Sequence, residues 1–244
     1  MPPLMTKTLL RRASWRRAGS SRCVAVGVCR SWCVTNTSTP YVERWRATIA
    51  AGVGTMQLVV RELTADLWPA LEDLFSTEGP VGRCWCMYWR IGSRYRDRPS
   101  EANEAAFRAT VEEGPPPGLL AFDDGVAVGW CQLTPREALP WLDRTWRLRR
   151  VDDAPVWAIS CFYIRKGCRR KGVTAALIDA AVEAAGRAGA VALEAYPLDA
   201  ALTPTTSHTG YASTFERAGF VTMARHVPSR PIMRYELESK DLGE

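Results

Sequence analysis

Four consecutive residues in the second half of the chain, Arg169, Arg170, Lys171 and Gly172, have the types and spacing to hold a phosphate. They follow an apolar run, Ile159-Ser-Cys-Phe-Tyr-Ile164, and precede a stretch of helix formers, Ala175-Ala-Leu-Ile-Asp-Ala-Ala-Val182. A strand that empties into such a turn and re-enters a helix leaves the first helical N–H groups without intrahelical partners. The aligned peptide dipoles add about half a positive charge at that end. Phosphate or pyrophosphate is the ligand that such a terminus favours, and three cationic side chains stand beside it.

Two phosphate-binding patterns do not fit. Gly167 and Gly172 have P-loop spacing, but Val173-Thr174 follows where a Lys-Ser/Thr pair would have to reach the outer phosphates. The dinucleotide fingerprint needs G-x-G-x-x-G after the strand, and the turn lacks it. What remains is Arg169-x-x-Gly172-x-Thr174 opening a helix. A strand expected over 191–196 comes next, then a short helix ending Phe215-Glu-Arg-Ala-Gly-Phe220, then a strand over 221–223. This succession resembles the GNAT-superfamily N-acetyltransferases, whose pyrophosphate loop reads Arg/Gln-x-x-Gly-x-Gly/Ala. Thr174 departs from the small final residue. The resemblance spans 57–236 and is densest over 156–222.

The resemblance implies a fold, a co-substrate and a set of roles. The fold is α/β: a single GNAT-like domain over 56–240, with a mixed, mostly antiparallel sheet flanked by helices. Arg169, Arg170, Lys171, Gly172, Val173 and Thr174 would hold the pyrophosphate of acetyl-CoA. The strand over 156–164 is expected to splay from that over 191–196. The backbone of Cys161, Phe162, Tyr163 and Ile164 could then pair with the pantetheine arm and polarise the thioester carbonyl. Phe215, on the cofactor side, stands where the family often carries a tyrosine that protonates the leaving thiolate. A phenyl ring cannot donate, so Tyr211, one helical turn earlier on the same face, is the candidate acid.

For the base the candidates are Glu194, which strand alternation groups with Ala192 and Tyr196 on one side, and His208. The acceptor site is expected in the N-terminal half, with Trp85, Tyr88 and Trp89 as an aromatic wall for a cationic amine. The implied reaction is direct attack by a primary amine of a small molecule or peptide on acetyl-CoA in a ternary complex. A different reading of the same scaffold is a non-catalytic acyl-CoA sensor, which Phe215 favours. A homodimer is compatible with either.

Charge narrows the partners. The formal net charge is +6, but residues 1–55 hold nine Lys/Arg and one acid, whereas the rest of the chain holds 23 basic and 25 acidic residues. The folded part is thus not basic, and nucleic-acid binding, including tethering through the tail, loses its main argument. The first 55 residues are Arg- and Ser-rich and acid-poor, as in an organelle transit peptide. The apolar stretch over 23–29 is short for a secretory signal and ends at Arg30. Alternatively Met56 is the true start and the residues before it an over-long reading frame, which 28 Arg against 4 Lys suits. Either way the extension is expected to be disordered.

No apolar stretch approaches the ~18 residues of a membrane span. Three of the eight cysteines (Cys23, Cys29, Cys33) fall in the extension, and the other five lie in a domain too large to need stapling. Cys84-Trp-Cys86 suggests metal, but with only His208 and His226 and no second close cysteine pair no metal site is expected. Reduced thiols point to the cytoplasm.

These residues need elements to position them. Leu67, Leu71, Leu74 and Phe75 have helical spacing after a Thr64 cap, and Ala106, Phe107 and Val111 after a Ser100 cap. An irregular aromatic segment over 79–99 separates the two helices. Strands over 119–122 and 126–133 flank Asp124-Gly125, a hairpin signal, and a loop over 135–155 leads to the strand before the Arg/Gly turn.

Overall fold

In the computed structural model of the chain the described residues are 23–26, 30–33, 44–51, 54–76, 84–202 and 207–237. Most of the expected N-terminal extension lies outside them. Strands β1 (Cys23–Val26) and β2 (Arg30–Cys33) form an antiparallel pair. Strand β3 (Arg44–Ala51) pairs antiparallel with β4 (Gly54–Glu62), which begins ahead of Met56.

Apolar spacing and turn chemistry account for most of the remaining elements. Helix α1 (Trp68–Ser76) buries Trp68, Leu71, Leu74 and Phe75, as the spacing predicts. The caps differ from expectation. The Thr64 hydroxyl bonds the Asp66 carboxylate instead of the backbone. Ser100 is the first residue of its helix, with Pro99 in the cap position. The aromatic segment folds as a one-turn helix, α2 (Tyr88–Ile91), running into a 3-10 turn over Gly92–Arg96. Helix α3 (Ser100–Glu113) ends at Gly114 before the proline run. Strands β5 (Gly118–Asp123) and β6 (Val126–Pro135) form the hairpin. Asp124 and Gly125, with φ of 48° and 79°, supply the two positive φ values that a type I′ turn requires.

A short helix α4 (Trp141–Arg144) occupies the loop before β7 (Trp157–Ile164). Helix α5 (Val173–Arg187), strand β8 (Ala192–Ala195), helix α6 (Ala212–Arg217) and strands β9 (Val221–Val227) and β10 (Arg230–Glu236) complete the described elements. The eight-stranded sheet has the order β3-β4-β5-β6-β7-β8-β10-β9. Among the described strands only β7 and β8 pair in parallel, joined by the α5 crossover. The last strand, β10, inserts between β8 and β9, an arrangement the sequence pattern did not signal.

The strands alternate between two cores. Leu119, Ala121, Val128, Cys131 and Leu133 meet the alanine-rich face of α5. Leu120, Phe122, Trp130 and Tyr163 meet α1 and α3 on the opposite face. Gly129 on β6 sets how closely α5 starts against the sheet: a Cβ there would lie 2.7 Å from Val173 Cγ1. Gly129→Ala is therefore expected to push the start of α5 outward. It should cost about 1–3 kcal/mol of stability by overpacking and weaken binding at the turn, with partial rescue by Val173→Ala. Thermal unfolding and ligand titration of the single and double variants check this.

Candidate functional site

The Arg/Gly turn sits at the N-terminus of α5. Gly172 caps the helix in the left-handed region (φ 84°), and Arg170 is also left-handed (φ 60°). The first intrahelical bond runs from the Ala176 N–H to the Gly172 carbonyl, 3.1 Å, so the N–H groups of Val173, Thr174 and Ala175 have no helical partner. Arg169, Arg170 and Lys171 are exposed around them. Arg169 is partly committed, since its Nε donates to the Ile164 carbonyl at 3.0 Å and ties the turn to the end of β7. Among the described residues no carboxylate pairs with Arg170 or Lys171. Val173 contributes its N–H, while its side chain is buried under Gly129. Left-handed cap, unbonded donors and exposed cations together fit a pyrophosphate.

The edge of β7 leads from this turn into the molecule. The register passes from Gln132↔Cys161 to Leu133↔Ile159, so Ser160 is the extra residue of a β-bulge. The parallel pairing with β8 stops at Ile159↔Ala195, and beyond Ser160 the strands part as expected. Three groups on the parted edge are taken. The Ser160 carbonyl accepts from Trp89 Nε1 at 3.1 Å, the Phe162 N–H donates to the His208 carbonyl, and the Ile164 carbonyl accepts from Arg169. Strand alternation leaves the Phe162 carbonyl and the Ile164 N–H facing the same gap. Among the described residues the former has a 3.9 Å contact from the Cys161 thiol as its one partner. One acceptor and one donor suit the two amides of a pantetheine arm. A thioester oxygen could reach the Phe162 N–H only by displacing the His208 carbonyl. The Phe162 and Tyr163 side chains are core, against Phe215 (ring centroids 6.1 Å) and Phe75 (5.9 Å).

At the bulge a pocket of about 260 Å³ opens. Cys84, Cys86, Tyr88, Trp89, Tyr95 and Arg96 form one side, and Gln132, Ser160, Cys161, His208 and Thr209 the other. Tyr88 stands edge-on to Trp89 (4.6 Å) and to Tyr95 (5.9 Å). The segment is held by Asn103, whose Nδ2 donates to the Tyr95 carbonyl at 2.8 Å, and by Gly92, which leaves no room for a Cβ against the Trp141 ring. The Ser160 hydroxyl donates to Gln132 Oε1 (2.7 Å), and Gln132 Nε2 to the Cys86 carbonyl (3.2 Å). Contact with the Cys161 thiol and burial push the Cys86 thiol well up, and burial lifts Cys84 to about 11. Neither is a thiolate nucleophile near neutral pH.

The structure redistributes the expected roles. Tyr88 and Trp89 line the pocket, but Trp85 is buried, stacked on Trp68 at 5.4 Å and edge-on to Phe75 at 5.3 Å. It is a core residue because a left-handed backbone at Trp85 and Cys86 (φ 44° and 55°) turns its ring inward and Cys86 toward Trp130.

Glu194 is likewise not presented to the pocket. One carboxylate oxygen accepts from Arg136 (3.1 Å) and from the Tyr196 hydroxyl (2.9 Å), the other from Arg234 Nε (3.2 Å) and Nη2 (2.7 Å). An anion saturated this way has no lone pair directed at an amine, so Glu194 is a structural counter-ion. The Arg136 guanidinium also donates to the Tyr196 hydroxyl. Tyr211 occupies the cap position of α6, half-buried, and is not among the pocket-lining residues. Phe215 is fully buried between Phe162 and Phe220.

His208, the second base candidate, lines the pocket. Gln132, Ser160, Thr209, Tyr95 and Arg96 join it without having been singled out. The aromatic and basic content of 79–99 was a signal for Tyr95 and Arg96; strand alternation carries none for a bulge.

The chain belongs to the acetyltransferase (GNAT) family: the family profile matches residues 68–203, more than half of the sequence. Acetyl-CoA is the co-substrate that goes with that membership. Similar solved structures include a polyamine N-acetyltransferase of Drosophila melanogaster (11% identity, 74% of this chain and 100% of that one, TM-score 0.47). Others are the PaiA N-acetyltransferase of Thermoplasma acidophilum in complex with coenzyme A (15%, 74% and 99%, 0.46) and YncA, a putative acetyltransferase of Salmonella typhimurium with acetyl-CoA (14%, 77% and 98%, 0.44). Comparison with curated proteins finds no match. No helix among the described residues is long and apolar enough to cross a membrane.

Proposed function

We propose that this protein transfers the acetyl group of acetyl-CoA to the primary amine of a small molecule, by direct attack in a ternary complex. The observation that carries this reading is the continuity of the β7 edge. One strand joins the Gly172 turn, the Phe162 carbonyl and Ile164 N–H on the parted edge, and the pocket at Ser160. Ser160 to Ile164 spans on the order of 13 Å of extended chain, with an anion site at one end and an aromatic pocket at the other.

In that frame bound acetyl-CoA supplies an activated acyl carbon at the bulge. Gly172, Val173 and Thr174 anchor its phosphates through backbone N–H groups, and Arg170 and Lys171 neutralise them. Tyr88, Trp89 and Tyr95 exclude water around the acceptor. His208 takes the proton that the amine must lose, directly or through a water. A thiol with a pKa of about 8.5 is a fair leaving group without an acid, which accounts for a site in which Phe215 packs and Tyr211 caps.

The test is release of free CoA thiol with a panel of primary amines, for wild type and His208→Gln. Turnover of at least one amine by wild type is expected, with a loss of roughly 10²–10⁴-fold in the variant and unaltered acetyl-CoA affinity. A variant with wild-type kcat across pH would remove His208 from the chemistry. Tight acetyl-CoA binding with no turnover of any amine would replace this reading by that of an acyl-CoA sensor.

A further inference from the structure

The charges around the pocket point to what it accepts. No acidic residue is among its described lining side chains, whereas Arg96 is at its rim. Three carboxylates of the surrounding segments are spent on arginines: Glu194 on Arg136 and Arg234, Asp143 on Arg136 (2.7 Å) and Arg150 (3.2 Å), Asp152 on Arg234 (2.7 Å). Among the described residues that line the pocket, none offers a second ammonium or a guanidinium on the acceptor a counter-ion.

The buried and half-buried arginines sharpen the contrast. Arg61, Arg136, Arg150, Arg165 and Arg234 each hold a carboxylate within 3.4 Å. Arg90 and Arg230 hold none among the described residues, and both stand behind the pocket. Arg230 donates to the Tyr196 carbonyl (3.0 Å) and to Oγ1 of pocket-lining Thr209 (3.3 Å), both neutral. Burial, and then the charge of Arg147, lower its pKa. Arg90 reaches only the Ala138 carbonyl (3.4 Å), its Nε is buried without a partner, and its charge acts on the Cys86 thiol. Half-buried guanidinium groups without an anion are costly, because desolvation is not repaid. An anionic ligand would offset it.

We propose that the acceptor is a small amine that also carries a carboxylate on an aromatic or apolar body, an amino-acid-like molecule whose carboxylate is read by Arg96 at the rim, with the charge of Arg230 behind Thr209 favouring the anion. This rests on the pocket being the acceptor site. A pocket of about 260 Å³ is below the roughly 300–1,000 Å³ of drug-sized ligand sites, as a metabolite of that kind needs. The rings of Tyr88, Trp89 and Tyr95 take its body. Cationic surroundings also disfavour the ammonium form of the amine, easing the deprotonation that attack requires.

A matched pair of amines tests the proposal: L-phenylalanine and its decarboxylated twin phenethylamine, with agmatine as a dicationic third, each with acetyl-CoA. The kcat/KM for phenylalanine is expected to exceed that for phenethylamine by at least about tenfold, or about 1.4 kcal/mol, with agmatine lowest. Arg96→Gln should shrink the ratio to less than about threefold through KM, as loss of binding shared by ground and transition states does. Equal rates for the twins, or a preference for agmatine, would overturn the assignment. If no amine is turned over, the transferase reading fails and the charge reading is judged by calorimetry alone. N-acetyl-L-phenylalanine should then bind wild type at least about tenfold tighter than N-acetylphenethylamine, and equal binding would overturn it.

Discussion

Replacing Gly172 by glutamate is expected to abolish acetyl-CoA binding while leaving the domain folded. Gly172 sits at φ 84° as the cap of α5, where an L side chain costs roughly 1–2 kcal/mol. The added carboxylate would stand among N–H groups that otherwise face phosphate. A like charge about 4 Å away costs about 4 kcal/mol at an effective dielectric of 20, and exposure of the turn reduces that. The backbone cost falls on the free and bound protein alike and so on stability, whereas the repulsion, about 3 kcal/mol after screening, is a roughly 100-fold loss in affinity. Gly172→Ala, which carries the backbone cost alone, should lose about 1–2 kcal/mol of stability and keep its affinity within about threefold. Calorimetric titration of the three proteins reads the series, with thermal unfolding as the control for folding. Micromolar affinity retained in Gly172→Glu would sink the assignment of the turn.

Truncating Glu194 is expected to act on stability, not on chemistry. Its carboxylate is buried between Arg136 and Arg234, themselves buried. Glu194→Ala leaves two guanidinium groups facing each other without their shared anion. Breaking a buried ion pair in this way costs about 3–5 kcal/mol, which for a domain of this size lowers Tm by roughly 6–20 °C. Glu194→Gln should fall between, because it keeps an acceptor oxygen and loses the charge. A general base would behave in the opposite manner, with normal stability and a turnover loss of roughly 10²–10⁴-fold. Denaturant unfolding and turnover per folded molecule separate the two roles. A stable, inactive Glu194→Gln would restore Glu194 as the base.

Where sequence reasoning worked, the physics was local. The Asp124-Gly125 turn, the apolar face of α1 and the Arg169-x-x-Gly172 turn at a helix start each derive from the φ/ψ needs or periodicity of neighbouring residues. The same holds for the Phe215 helix ending at Gly219-Phe220, because a glycine at φ 92° ends it. Aromatic content identified the segment of Tyr88 and Trp89, but not the inward turn of Trp85, which depends on two consecutive left-handed residues that a non-glycine sequence does not announce.

The sequence by itself determined the family and the order of the main strands and long helices from β4 to α6, though not the short α2 and α4, because each of those elements is set by contacts within a turn or a run of neighbours. Only the tertiary structure decided which polar groups are spent and which are available. Glu194 looked free until Arg136 and Arg234, 58 and 40 residues away, converged on it. Arg90 and Arg230 looked ordinary until every other buried or half-buried arginine among the described residues proved to have a carboxylate. The pocket opens where β7 carries one extra residue at Ser160 and its pairing with β8 ends. Charge pairing and strand separation are long-range properties, summed over distances in space that the spacing of residues along the chain does not encode.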